Sequence, residues 1–132
     1  EWRFEFPEVL NDDGDFMGFD VVLGNPPYIQ LQSIKDTSEQ LKRFEYQTFE
    51  KTGDIYSLFY EKGNEILKTN GFLAYITSNK FLSQGYGLLL RKFFLLSKIF
   101  EIVNFNYDIF ENATVRTWGV IFLMKPPLIQ IF

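Results

Sequence analysis

Residues Phe19-Asp20-Val21-Val22-Leu23-Gly24 form a short, β-branched apolar run that stops at Asn25-Pro26-Pro27-Tyr28. The short run and the Pro-Pro brake favour a buried β-strand over a helix. Two consecutive prolines lack N–H donors and fix φ. The chain therefore leaves the sheet here in a stiff, extended conformation.

The elements around this strand follow from periodicity and punctuation. Upstream, Phe4 and Phe6 alternate with charges and suggest a short edge strand, limited by Pro7. Asn11-Asp12-Asp13-Gly14-Asp15 reads as a solvated turn. Downstream, Leu41, Phe44 and Thr48/Phe49 predict a helix over 38–50, with Ser38 as its N-cap. Gly53-Asp54 opens a second helix, capped by Asp54 and ended by a left-handed stop at Asn70-Gly71. Its apolar stripe is Ile55, Leu58/Phe59 and Ile66/Leu67. A buried strand at 72–77, a helix at 84–97, and strands at 99–105 and 118–124 complete the order.

Strands that alternate with helices imply an α/β fold with a mainly parallel sheet. The last two strands have a short link, so one strand is expected to run antiparallel. Lys125-Pro126-Pro127 reads as a domain exit, and residues 1–132 as one small domain or part of a larger one.

Composition narrows the chemistry. The chain has no cysteine and no histidine. That excludes disulfides, Cys/His zinc sites, thiol nucleophiles and histidine bases. Its 13 basic and 17 acidic residues leave a net charge of −4. A chain that grips nucleic acid unaided usually carries a basic excess. This one is expected to bind none, or to be only the catalytic piece of a nucleic-acid enzyme. No apolar run reaches the ~18 residues of a membrane span. The start at Glu1-Trp2-Arg3 suggests a chain cut from something longer.

Ligands of open α/β sheets bind outside the carboxyl ends of the strands. Here those ends carry Asn25-Pro26-Pro27-Tyr28, Thr77-Ser78-Asn79-Lys80 and Asn104-Phe105-Asn106-Tyr107, with Phe110 and Arg116 in the loop beyond. Amides and aromatics without His or Cys suit a flat polar ligand such as a base. The exocyclic amine of adenine is a poor nucleophile, because its lone pair is delocalised into the ring. The Asn25 side-chain oxygen and the Pro26 carbonyl could draw its hydrogens toward tetrahedral geometry. Pro-Pro stiffness would hold both acceptors in place. Tyr28 would stack on the base, worth roughly 1–3 kcal/mol. The bland reading of the tetrapeptide is a plain turn; its place directly after an apolar strand favours the functional one.

The segment from Phe19 to Ile29 resembles the catalytic motif of amino-methyltransferases that use S-adenosylmethionine. It is most similar to gamma-type DNA adenine-N6 methyltransferases, especially those of type II restriction–modification enzymes that fuse methylase and endonuclease. Phe4-Glu5-Phe6-Pro7-Glu8-Val9 resembles the lead-in of that group. Gly53-Asp54-Ile55-Tyr56-Ser57-Leu58-Phe59 is similar to its next motif, and 71–82 to the strand that follows. Ile109-Phe110 before Ala113-Thr114-Val115 resembles the segment that supplies a second base-stacking aromatic.

The resemblance implies a Rossmann-like methyltransferase fold, of which this chain is the C-terminal half. It implies S-adenosyl-L-methionine as cofactor and double-stranded DNA with a flipped adenine as partner. It also implies a cytoplasmic protein of a bacterium or archaeon. Asn25 and Pro26 would accept from the adenine N6 amine, with Tyr28 and Phe110 on opposite faces of the base. Gly24 and Asn25 would lie beside the methionine part of the cofactor, and Pro27 would shape the wall between cofactor and base. Tyr56 and Asp54 would support the cofactor side. The plainer readings are a packing residue for Tyr56, a helix cap for Asp54 and a core aromatic for Phe110. Lys80 and Arg116 are candidates for phosphate contact, or plain solvated charges.

The family's Gly-rich cofactor loop is missing from this sequence. Gly85-Tyr86-Gly87 lies in a helical pattern with no strand before it. The main cofactor half is therefore expected to be absent, and the isolated chain inactive. Two alternatives stay open. One is methylation of a glutamine amide in release factors, which uses a similar Asn-Pro-Pro-Tyr. The other is a non-catalytic interaction fragment that self-associates through its aromatic surface.

Overall fold

The computed structural model describes residues 2–105 and 118–126. The N-terminal segment forms a short helix α1 (Trp2–Glu5) and a 3₁₀ turn Pro7–Val9. The expected edge strand is not there: Pro7 sits at the start of that turn, where its missing N–H costs nothing. The acidic turn forms as read, with the Asn11 carboxamide oxygen accepting from the backbone N–H groups of Asp13 and Asp15 at 3.0 and 2.8 Å.

Strand β1 (Phe19–Gly24) ends where the prolines begin. Helix α2 spans Lys35–Lys42, not 38–50. Ser38 is a buried residue inside it rather than its cap, and Glu45 adopts a positive φ of 53° that ends any helical continuation. The stretch after it docks on helix α3 (Tyr56–Glu65) instead. The Glu61 carboxylate accepts from the backbone N–H groups of Gln47 and Thr48 and from the Thr48 hydroxyl, at 2.9–3.0 Å.

Strand β2 runs over Leu67–Ser78, five residues earlier than the periodicity predicts. Asn70 is left-handed as expected, with φ 65°, but it lies within the strand rather than at a helix end. The β1–β2 register jumps there, from Phe19↔Leu67 to Val21↔Phe72. Helix α4 (Leu88–Leu96) follows two 3₁₀ turns, Asn79–Leu82 and Gly85–Gly87. Strands β3 (Lys98–Phe105) and β4 (Trp118–Met124) match their predicted limits to within a residue.

The sheet order is β1-β2-β4-β3. β1 pairs parallel with β2, while β4 enters between β2 and β3 and is antiparallel to both. Three strands thus share one direction and one opposes them, as the sequence order suggests.

Helices α3 and α4 cover one face of this sheet. Their contribution to the core is Tyr56, Tyr60, Leu90, Phe93 and Phe94, against Leu73, Tyr75, Ile121 and Leu123 from the strands. Along β2 the odd-numbered residues 73, 75 and 77 are buried, as a strand with one covered face requires. No described helix covers the opposite face. There Val21 is 53% exposed, Leu23 73% and Phe100 65%. β1 is therefore an exposed edge strand among the described residues, not the buried strand that its composition suggests. Among the described residues, no helix is long and apolar enough to cross a membrane.

Candidate active site

The pairing of β1 with β2 ends at Gly24↔Tyr75, and the next residue is Asn25. A side chain at Gly24 would meet the Tyr75 ring, with a Cβ only 2.9 Å from its nearest atom. Glycine thus lets the strand end lie flat on a core aromatic. Beyond it Asn25 and Pro27 are exposed, Pro26 is buried and Tyr28 is half-buried. The buried proline anchors the loop, and its neighbours reach solvent beyond the sheet.

Tyr28 packs against the edge of the core cluster. Its hydroxyl lies on the Asn25 carboxamide oxygen and also within 3.1 Å of the Ile76 carbonyl. Ile76 is the first residue of β2 past the stretch paired with β1. Partial burial pushes the Tyr28 phenol up to about 12, so it stays protonated at neutral pH.

The exit of the loop is strapped down. Leu31 N–H donates to Gly53 O and Ile55 N–H donates to Ile29 O, both at 2.9 Å, with Gln30 bridged to Asp54. Gly53-Asp54 therefore serves the motif loop as well as the start of α3. Asp54 does not act as a side-chain cap; the N-cap of α3 is Ile55, without a capping bond. The Asp54 carboxylate is buried beside two phenols. Burial first, and then this carboxylate, hold Tyr56 far above the ordinary tyrosine range and push Tyr86 up to about 12. Among the described residues the Tyr56 hydroxyl makes no hydrogen bond of full geometry, and its charged neighbour is the Asp54 carboxylate.

The other strand ends divide between core and surface. Thr77 and Ser78 are buried, and the Thr77 hydroxyl meets the Tyr60 hydroxyl at 3.0 Å. Asn79 and Lys80 reach the surface. The Asn79 carboxamide donates to that of Asn104 at 2.6 Å, linking the carboxyl ends of β2 and β3.

The structure thus brings Gly24, Asn25, Pro26, Pro27 and Tyr28 together at one strand end, with Lys80 in the turn directly after β2. Tyr56 is fully buried, with its ring 6.5 Å from that of Phe81 and no exposed surface for a ligand. Phe110 and Arg116 lie outside the described residues. Sequence reasoning missed the Ile76 carbonyl and the strap at 53–55. Backbone groups carry both, and side-chain patterns do not report them. No group of three or more acidic, His or Cys side chains among the described residues could hold a metal ion.

The donor set fits one side of a methyl-transfer site. The exposed Asn25 and the side-chain-free Gly24 could border the methyl-bearing part of S-adenosylmethionine. Among the described residues no glycine-rich turn follows a strand to take its remainder.

The fold is that of the class I S-adenosylmethionine-dependent methyltransferases. A Listeria monocytogenes protein assigned to that class superposes with a TM-score of 0.60 at 16% identity, over 84% of this chain and 33% of that one. The chain belongs to the Eco57I restriction-modification methylase family, whose profile matches residues 1–110. It is 35% identical over 112 residues to the type II restriction enzyme and methyltransferase RM.Eco57I of Escherichia coli, covering 81% of this chain and 11% of that protein. It is 34% identical over 129 residues to the type II methyltransferase M.BstVI of Geobacillus stearothermophilus, covering 95% of this chain and 23% of that protein. The chain therefore spans only a tenth to a quarter of these relatives.

Proposed function

We propose that this chain is the catalytic part of a site-specific DNA adenine-N6 methyltransferase in a restriction–modification system. The observation that carries the proposal is the Asn25-Pro26-Pro27-Tyr28 loop, which leaves the carboxyl end of β1 with Asn25 exposed and Pro26 locked in place. Family membership, and the methyltransferase names of relatives, support methyl transfer in a restriction–modification system; adenine N6 as the acceptor is inferred from the loop.

Asn25 Oδ1 and the Pro26 carbonyl accept the two N–H groups of the adenine N6 amine. This draws the nitrogen lone pair out of the ring and toward the methyl group. When bound, S-adenosylmethionine supplies a methyl carbon on a sulfonium, whose sulfur keeps the electron pair of the broken C–S bond. N6 forms the new N–C bond and releases one proton to solvent, so no histidine is required. The amine lies within the duplex until the base is flipped out. Tyr28 stacks on one face of the flipped base, and we assign Phe110 to the other. Gly24 and Asn25 border the methionine part of the cofactor, with Pro27 between it and the base. Tyr56 acts only from beneath, through the core. Lys80 and Arg116 are assigned to the DNA backbone. The principal cofactor contacts are placed outside residues 1–132. The apolar sheet face that no described helix covers supports this, since such a face normally packs against further elements.

The test is Asn25→Ala in the intact protein, with tritiated S-adenosylmethionine and unmethylated phage DNA as substrate. N6-methyladenine in the digested DNA should fall by at least about 100-fold. DNA retention on a gel should stay close to that of the parent. Transfer to a release-factor glutamine peptide, rather than DNA, would redirect the reading to an amide acceptor. Substantial adenine methylation by Asn25→Ala would remove Asn25 from the reaction.

A further inference from the structure

We infer that the Tyr28 hydroxyl, besides the stacking role of its ring, sets which end of the Asn25 carboxamide faces the substrate. This rests on Asn25 being the amine acceptor. The motivating geometry is a conflict over one proton. The phenol has a single hydrogen, and two oxygens lie on it: Asn25 Oδ1 and the Ile76 carbonyl, the latter at 3.1 Å. One hydrogen cannot serve both fully.

Turning the carboxamide end for end resolves the conflict. Asn25 Nδ2 then donates to the phenolic oxygen, and the phenol donates to Ile76 O. Its two ends have nearly the same shape, so the surrounding network decides which points where. In this arrangement Nδ2 is engaged by the phenol, and Oδ1 points away from it to accept from a substrate. That is the orientation the reaction needs. An N6 amine can donate to Oδ1, whereas Nδ2 would confront it donor to donor. The anchor is backbone: Ile76 follows the last residue of β2 paired with β1. The acceptor's orientation is thus referred to the sheet, not to the loop alone. Tyr28 acts here as a positioning residue, through Asn25.

Two measurements test this. Tyr28→Phe in the intact protein keeps the ring and removes only the hydroxyl. With phage DNA and tritiated S-adenosylmethionine, kcat per active site should fall roughly 5- to 20-fold, the scale of one lost hydrogen bond. KM for DNA and for cofactor should stay within about twofold. A single-turnover burst sets the active fraction, so partial unfolding does not pass for a slower step. Unchanged kcat, or a change confined to KM, would overturn the proposal. Asn25→Ala is run in parallel. If it retains turnover, the amine-acceptor reading fails and takes this proposal with it. If it is inactive while Tyr28→Phe is not slowed, only the role of the hydroxyl fails. The second measurement is neutron diffraction from deuterated crystals. The phenolic deuteron should point at Ile76 O, with Asn25 Nδ2 toward the phenolic oxygen. A deuteron lying on Asn25 Oδ1 would refute the arrangement directly.

Discussion

Gly87→Ala is a sharp test of how the region behind the site is packed. Gly87 precedes α4 with φ −75° and ψ −3°, a conformation open to alanine. By backbone freedom alone the substitution should stabilise the fold by about 0.4–1 kcal/mol. The surroundings oppose this. A Cβ at Gly87 would lie 2.7 Å from both the carbonyl carbon and the Cα of Phe81, and closer still to its oxygen. These are backbone atoms, so no rotamer change relieves the clash. The same carbonyl accepts from Arg91 Nη1, which also donates to Gln84 O. The Phe81 ring lies 5.5 Å from Phe94, edge-on in the core. Relief must shift the turn that carries Lys80 and disturb this packing. Overpacking costs typically 1–3 kcal/mol, and a contact with rigid backbone belongs at the upper end. The net expectation is a loss of about 2 kcal/mol. In urea that lowers the midpoint of this domain by roughly 1–2 M. Circular dichroism or intrinsic fluorescence would follow the transition. Gly85→Ala is the paired control, because a Cβ there meets nothing within 4 Å. If Gly87→Ala were as stable as Gly85→Ala, the close approach of the two turns would be wrong.

Three further outcomes are expected. Tyr60→Phe should destabilise by about 1–2 kcal/mol, because it strands the buried Thr77 hydroxyl that Tyr60 meets at 3.0 Å; a neutral effect in urea unfolding would count against that bond. At alkaline pH the tyrosines should govern stability. Burial raises Tyr28 and Tyr86 to about 12, and raises Tyr56, Tyr60 and Tyr75 as well, all from an ordinary value of 10.0. The folded state then holds more protons than the unfolded one above pH 10. Stability that is complete below about pH 10 should fall across about pH 10–12. Phenolate absorbance should rise together with unfolding, and independent titration of these groups near 10 in an intact fold would contradict it. Finally, calorimetry of the 132-residue chain with S-adenosylmethionine should show weak binding or none; tight binding would place the main cofactor contacts within these residues.

The parts of the fold that local pattern specifies were legible in the sequence. Strands at 99–105 and 118–124 are apolar runs with no competing helical period, and both form within a residue of their expected limits. The motif loop was legible because two prolines leave the backbone few choices. What failed depends on partners distant in sequence. The spacing of Leu41, Phe44 and Thr48 suits a helix, yet Thr48 is held by Glu61 on α3. Asn70 has the conformation of a helix stop, but its N–H pairs with Lys125 O and its neighbourhood belongs to β2. Val21 and Leu23 have the composition of a buried strand, and burial is decided by what packs on them. At the site, Asn25 and Tyr28 were legible as residue types. Their link through Ile76 was not, because a main-chain carbonyl has no letter of its own.

The placement of β4 between β2 and β3 has a consequence for biosynthesis. During translation β2 and β3 emerge first, side by side in direction but with a strand-wide gap between them. Neither gains its partner on that side until Trp118–Met124 has left the ribosome. Closing the gap joins residues as far apart as Phe72 and Met124, a non-local step that is entropically slow. A nascent chain stalled before Trp118 would leave the facing edges of β2 and β3 unpaired toward its neighbours on the polysome. For this domain, the interval between synthesis of β3 and arrival of β4 leaves both of those edges open to aggregation.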